Sequence, residues 1–308
     1  MAQYKIPNTP TARASSYEFA DYLELLCFVT NNGVSITNAH RQINYISDEI
    51  GDGDYDEDDK LYDLLQDALK EIDRREIACR GRYPFTTDNN SIFPNPDCSR
   101  SYEIIYKYLL LATRLNMIQH KYTDTINGTL IFESLSALVA KEYFGNNAKS
   151  IVFGTGCRGG FRDKINDLTH QLGEGGKYKD PEEGTHDEKD GGLDIVVWKP
   201  FTDMKKGKFI GFGQCKTGTE WRDEVGRLCP NDFCSIYFDR QPYIEPVKMF
   251  FVCETFKDNY EKLSRKAGII FDRCRIMDFL PELPDNLLND IQHWVNGKQE
   301  LLMTAYSN

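Results

Sequence analysis

Asp194 in the segment GGLDIVVWK, and Gln214 and Lys216 in the segment FIGFGQCK, are the residues whose types and spacing suit chemistry. Two strand-like runs carry them, Leu193–Trp198 and Lys208–Lys216, joined by a turn containing Pro200, Asp203 and Gly207. Side chains alternate along a strand, so Phe212, Gln214 and Lys216 share one face while Cys215 projects to the other. Gln214 and Lys216 then stand about 6.6 Å apart along the strand. Asp194 lies at the end of its strand far from the turn, and a hairpin register brings it beside both. A carboxylate, an amide oxygen and an ammonium gathered in this way are what hydrolysis of a phosphodiester requires. Asp194, the Gln214 amide and the backbone carbonyl of Cys215 offer oxygens to a hard cation, Mg²⁺ or Mn²⁺, that keeps several waters. Lys216 orients the attacking water or stabilises charge developing on the phosphoryl oxygens. Each residue also has a plain structural reading: Asp194 as a cap at a strand start, Gln214 and Lys216 as an exposed sheet edge.

Elements on both sides must position this hairpin. Upstream, TLIFESLSALVAKEYFG follows Asn127 and Gly128 and reads as a helix with Ile131, Leu135, Leu138 and Val139 on its buried face, ending at Gly145. Glu133 lies on another flank with Ala137 and Ala140, whose small side chains let a neighbour approach; its plain reading is a solvated helix residue. A strand is expected at 150–154 and a helix through Phe161, Ile165, Leu168 and Leu172. Residues 173–190 are polar and aperiodic, so they read as a surface loop. Beyond the hairpin, a helix is expected after Thr219 and a strand in VKMFFVCE at 247–254. GIIFDRCRIMDF at 268–279 reads as strands or an extended turn, with Asp272, Arg273 and Arg275 available for ion pairs. A last helix over 285–302 would staple the sheet.

At these residues the sequence resembles the restriction-endonuclease-like, or PD-(D/E)xK, nuclease superfamily, in its variant with glutamine as the second motif residue. The resemblance rests on the glutamate in FESLSALV, the aspartate in GGLD and the Q-x-K of GFGQCK, and it covers about residues 123–275. It implies an α/β fold with a mixed sheet and an αβββαβ core. It further implies that Asp194 and Gln214 bind metal, that Lys216 assists the water, and that Glu133 completes or orients the metal shell. It implies DNA before RNA as substrate, and a prokaryotic restriction or anti-phage setting. Two alternatives stay open: an RNA-cleaving protein of the same fold, and a non-catalytic subunit that binds nucleic acid or protein.

Residues 1–122 have a different character and are expected to form an all-helical section, with 123–308 as the nuclease domain. Ser15 and Glu18 make a capping box ahead of Phe19, Tyr22, Leu23 and Leu26. A second helix is expected over about 37–50. Leu61, Leu64, Leu65, Ala68, Leu69 and Ile72 mark a third, a loop fills 81–99, and an apolar helix covers 101–118. Asp52, Asp54, Asp56, Asp58 and Asp63 loosely imitate a calcium loop, but Glu57 holds the place of the required glycine, so an acidic helix start is the better reading.

The net charge of −11 argues against a phosphate-backbone partner only until its distribution is considered. Residues 1–100 carry 10 basic and 18 acidic side chains, whereas residues 101–308 carry 27 and 30, so the first section suits a protein partner and the second a nucleic acid. Lys199, Lys205, Lys206, Lys208, Lys216, Arg222 and Arg227 fall in one stretch that reads either as a phosphate-facing surface or as a solvated hairpin. Trp221 and Arg222 are candidates for substrate contact or core, and His170 and His186 are bystanders. Nine cysteines without C-x-x-C pairs point to reduced thiols, and with no apolar run long enough for a membrane or leader segment the expectation is a cytoplasmic protein.

Overall fold

The computed structural model describes residues 4–11, 13–48, 55–154, 160–181 and 191–306. Helix α1 (Ser16–Thr30) begins at the expected capping box: Ser15 Oγ accepts the Glu18 N–H and the Glu18 carboxylate accepts the Ser15 N–H. This reciprocal pair satisfies donors that a helix start otherwise leaves open. Strand β1 (Val34–Ser35), α2 (Ile36–Asp48) and α3 (Tyr55–Ala78) follow. Residues 51–54 of the acidic segment, with Asp52 and Asp54, lie outside the described residues. Arg75 continues the apolar stripe of α3 and is fully buried.

The all-helical expectation for the first section is corrected at 81–99. There β2 (Phe85–Asp88) and β3 (Ser91–Pro94) form an antiparallel hairpin, and β1 adds to β3 as a third strand. Asp88 Oδ1 accepts the Asn90 N–H at 3.2 Å, the local bond that makes aspartate a turn former. Strands of four residues, FTTD and SIFP, are too short to show alternation, so the sequence reads there as loop.

Helix α4 (Arg100–Arg114) leads to a two-stranded ribbon, β4 (Tyr122–Thr123) with β5 (Ile126–Asn127), and then to α5 (Gly128–Phe144). Gly128 starts α5 because a Cβ there would lie 2.7 Å from Trp294 Nε1. After α5 come β6 (Lys149–Val152), α6 (Phe161–Leu172), β7 (Ile195–Lys199), β8 (Phe209–Lys216), a 3₁₀ turn (Glu220–Asp223), α7 (Pro230–Tyr237) and β9 (Val247–Val252). They are followed by α8 (Tyr260–Ala267), β10 (Ile269–Phe271), α9 (Arg273–Asp278), α10 (Asp285–Asn296) and α11 (Gln299–Tyr306). The segment 268–279 is therefore strand then helix, with Asp272 capping α9 by accepting the Arg275 N–H, and the last helix breaks at Gly297.

The central five-stranded sheet has the order β10-β9-β8-β7-β6, giving a mixed α/β architecture. Strands β6, β7 and β8 are antiparallel neighbours, whereas β8, β9 and β10 run parallel. One face, with Ile195, Val197, Met249 and Phe251, enters the same apolar core as Phe19, Leu65, Leu109, Leu135 and Trp294. The expected boundary at 122 thus does not separate two apolar cores. The opposite face carries two clusters: Val196, Trp198, Ile210 and Phe212 under Leu228 and Phe233, and Phe250 and Val252 under Trp221 and Val225.

Charge also crosses the expected boundary. Asp21 accepts from Arg75 (2.7 Å), Arg114 (2.6 Å) and Arg273 (2.8 and 3.1 Å), and Glu24 accepts from Arg75 (2.8 Å), Tyr83 (2.5 Å) and Tyr106 (2.9 Å). All are buried, so pairing is obligatory: an uncompensated ion there costs several kcal/mol (about 3–5). Arg273 also donates to the Cys253 carbonyl at 2.9 Å, tying the network to the end of β9. Among the described residues no helix is long and apolar enough to cross a membrane.

Candidate catalytic site at the carboxyl end of β8

The register pairs Ile195 with Gly213 and Val196 with Phe212. Asp194, one residue before β7, therefore stands across from Gln214. Its backbone continues the ladder: the Asp194 N–H donates to the Gly213 carbonyl at 3.0 Å, and its own carbonyl accepts from Phe153 (2.7 Å) and Gly154 (3.0 Å). Beyond this point β8 pairs only with β9, through Gln214↔Phe250, Cys215↔Phe251 and Lys216↔Val252. The site forms where β7 has ended and β8 runs on.

The two glycines before Asp194 make this possible. Gly191 and Gly192 both have positive φ (58° and 74°), a conformation that costs L side chains steric strain. A Cβ on Gly191 would also lie 2.8 Å from the Phe233 ring. The chain thus turns sharply into β7 under α7, and the aspartate is delivered at the strand mouth. Asp194 Oδ2 accepts the Cys215 N–H at 2.7 Å, which fixes its carboxylate beside β8.

Gln214 lies on the sheet face between the two apolar clusters and is 1% exposed. Its amide oxygen is buried and has no hydrogen-bond partner among the described residues. Such an oxygen costs about 1–3 kcal/mol and calls for an occupant. Glu133 reaches the same corner from α5: a Cβ on Gly154 would lie 2.7 Å from Glu133 Oε2, so that glycine makes room for the carboxylate. The Cys215 thiol registers both acids. Burial pushes its pKa well up, and the Asp194 and Glu133 charges add to the shift.

Lys216 Nζ donates to Glu224 Oε2 at 3.1 Å, and Arg227 donates to the same oxygen at 3.5 Å. The Glu224 carboxyl is held below its usual range by the Lys216 hydrogen bond and charge. Arg227 packs over Gly192, where a Cβ would lie 3.4 Å from its Cγ and 3.6 Å from Gln214 Nε2. Glu133, Asp194, Gln214 and Lys216 are therefore brought to one end of β8. Glu224 and Gly154 join them, although neither stands out in the sequence, because one sits in an aperiodic loop and the other acts by lacking a side chain.

The basic stretch divides. Lys205 and Lys206 sit on the exposed turn before β8, Lys199 donates to the Phe144 carbonyl, and Lys208 is buried on the Leu172 carbonyl, about 26 Å along the strand from Lys216. Lys216, Arg222 and Arg227 stand at the site end. Trp221 is core, 1% exposed, with Nε1 donating to Glu254 at 2.7 Å; Arg222 donates to the same oxygen at 2.8 Å and lies over the indole. His170 is exposed in the last turn of α6, and His186 lies outside the described residues.

Asp194, Gln214, the Cys215 carbonyl and Glu133 are the oxygen donors here that could hold a divalent ion. Asp194 supplies charge, the Gln214 oxygen is buried with no hydrogen-bond partner among the described residues, and Glu133 lies near enough to Cys215 for its charge to raise that thiol's pKa. Among the described residues no cluster of three or more His, Cys, Asp or Glu side chains is placed to cage a metal. A sparse, oxygen-only set suits Mg²⁺ or Mn²⁺, which keep several waters, rather than an ion held wholly by protein. No protein-family model, curated protein or solved structure matches this chain.

Proposed function

We propose that the protein is a metal-dependent nuclease that hydrolyses phosphodiester bonds of nucleic acid, DNA before RNA, at the carboxyl end of β8. The observation that carries this reading is the buried Gln214 amide oxygen, without a hydrogen-bond partner among the described residues, beside the Asp194 carboxylate and one strand step from Lys216. Asp194, Gln214, the Cys215 carbonyl and Glu133 would hold Mg²⁺ or Mn²⁺. Bound there, the cation supplies Lewis acidity toward the phosphodiester and its attacking water. Asp194 keeps its carboxylate fixed through the Cys215 N–H. Lys216 brings a positive charge that orients water and stabilises negative charge on the phosphoryl oxygens. The order α5, β6, β7, β8, α7, β9, with an antiparallel meander followed by a parallel strand, supports the resemblance to the restriction-endonuclease-like core. The helix α6 is an insertion in that order. The acidic excess of residues 1–100 fits a protein partner, as in a multi-subunit restriction or anti-phage system.

The test is incubation of the purified protein with supercoiled plasmid, linear DNA and RNA in Mg²⁺, Mn²⁺ or EDTA. Metal-dependent cutting that Asp194→Ala removes is the expected result. A folded protein that cuts nothing under any metal overturns the catalytic reading and favours the non-catalytic subunit.

A further inference from the structure

We propose that Lys216 and Arg227 form a phosphate-binding pair and that Glu224 occupies it as an internal anion, to be displaced when a backbone phosphate of the nucleic acid enters. The inference rests on the nuclease reading for the kind of ligand, but its geometry is independent of any metal. One carboxylate oxygen, Glu224 Oε2, takes hydrogen bonds from both cations, at 3.1 and 3.5 Å. A single oxygen shared by an ammonium and a guanidinium is the arrangement a phosphate oxygen adopts, because both donors favour anionic oxygen acceptors. The carboxylate is placed by a short turn, with the Glu224 N–H donating to Trp221 at 2.9 Å and its carbonyl accepting the Arg227 N–H at 3.0 Å. Lys216, Glu224 and Arg227 are roughly a quarter to two-fifths exposed, so solvent and a ligand can reach them. Arg227 also lies over Gly192 near Gln214 Nε2, which puts the pair at the rim of the site and not on a remote surface. At the level of charge, Glu224 lowers the pair from two positive charges to one. A phosphodiester must compete with it, so Glu224 weakens nucleic-acid binding instead of assisting it.

The experiment measures binding by fluorescence anisotropy, in EDTA and over a salt series, of a short labelled DNA duplex and of an RNA of the same sequence. Glu224→Gln keeps the shape and removes the charge, and it is expected to tighten binding about fivefold, the worth of one exposed ion pair. Arg227→Gln is expected to weaken binding and reduce the slope of log affinity against log salt by about 0.9 on duplex DNA. The ordinary surface-salt-bridge reading gives no change in Glu224→Gln, and that result overturns the proposal. Weaker binding in Glu224→Gln, or no binding by the wild type and Glu224→Gln alike, overturns it as well. Tighter binding without cleavage in any metal would sink the nuclease reading while leaving the phosphate pair intact.

Discussion

Asp194 Oδ2 accepts the backbone N–H of Cys215 at 2.7 Å, a side-chain bond that joins the mouth of β7 to the end of β8. It does the work that the next ladder bond would do if β7 continued. The carboxylate is thereby held next to Gln214. Asp194 thus contributes both position and charge at this site, whereas Gln214 contributes a neutral oxygen and Lys216 a positive charge, which separates the expected effects of the substitutions there.

Asp194→Ala should remove metal binding together with cleavage, since mainly neutral oxygens and Glu133 remain for a divalent ion. Lys216→Ala should lower cleavage by about 100-fold or more while leaving metal binding intact, because its charge acts on the transition state. Gln214→Glu should retain activity with a changed preference between Mg²⁺ and Mn²⁺. Calorimetric metal titration beside plasmid cleavage checks all three. Wild-type cleavage by Lys216→Ala, in a preparation free of contaminating nuclease, would remove the assignment.

Gly154→Ala tests the role of Glu133 without touching it. The new Cβ would meet Glu133 Oε2 at 2.7 Å, and the flexible end of that side chain must move. Metal affinity should fall about tenfold, the lower end of what misplacing a supporting group costs, with little change in Tm. Unchanged metal affinity would mean that Glu133 is structural.

The hairpin and its register were legible because two runs of period-two alternation end in one turn, which leaves a single way to pair Asp194 with Gln214. Helix α5 was legible for the same kind of reason, an unbroken apolar face. The β2–β3 hairpin was not, since four-residue strands carry no period; the Asp88–Asn90 turn was the available clue. Of the buried ion network, the sequence marked Arg273 for ion pairs but not its partners Asp21 and Glu24. Arg75 follows Leu61, Leu65, Ala68 and Ile72 on their own stripe, which marked it as buried, but its partners Asp21 and Glu24 lie some fifty residues away, where no local pattern can find them. Glu224 escaped because a loop offers no face on which to place it.

Acid should unfold the protein through that network. Burial opposes ionisation of Asp21 and Glu71, but Arg273, Arg114 and Arg75 around the first, and Arg74 and Arg75 around the second, outweigh it and hold both carboxyls below their usual range. Each then contributes stability that is complete above its unfolded pKa of about 4 and is lost as pH falls through the folded value. Denaturant midpoints should therefore fall steeply below about pH 4, and Asp21→Asn should cost about 3–5 kcal/mol at neutral pH. A shallower acid limb in Asp21→Asn than in wild type is expected, since Glu71 remains; parallel limbs would show that other carboxylates dominate.

Residues 123–308 expressed alone should not fold. Removing 1–122 exposes Ile195, Val197, Met249 and Phe251 to a missing core and strips Arg273 of Asp21, Glu24 and Thr113. A well-dispersed NMR spectrum from that fragment would show that 123–308 folds as a domain of its own, the division that the sequence pattern suggested.

Gln214→Leu sets stability against function. The wild-type amide oxygen is buried with no hydrogen-bond partner among the described residues, so the metal-free protein carries a desolvation cost of about 1–3 kcal/mol at that atom. Leucine is close in volume and is flanked by Phe212 on the same strand and Phe250 on the neighbouring one, so apolar packing should replace the uncompensated oxygen. In EDTA the variant should melt above the wild type. In Mg²⁺ the order should narrow or reverse, since an ion that binds only the folded state raises wild-type stability by RT ln(1 + [L]/Kd), and the variant has lost a ligand. Thermal melts across a Mg²⁺ titration measure both effects in one series. A variant less stable than wild type in EDTA would show that the amide is satisfied in the folded protein, and an undiminished Mg²⁺ response would show that the ion does not use it.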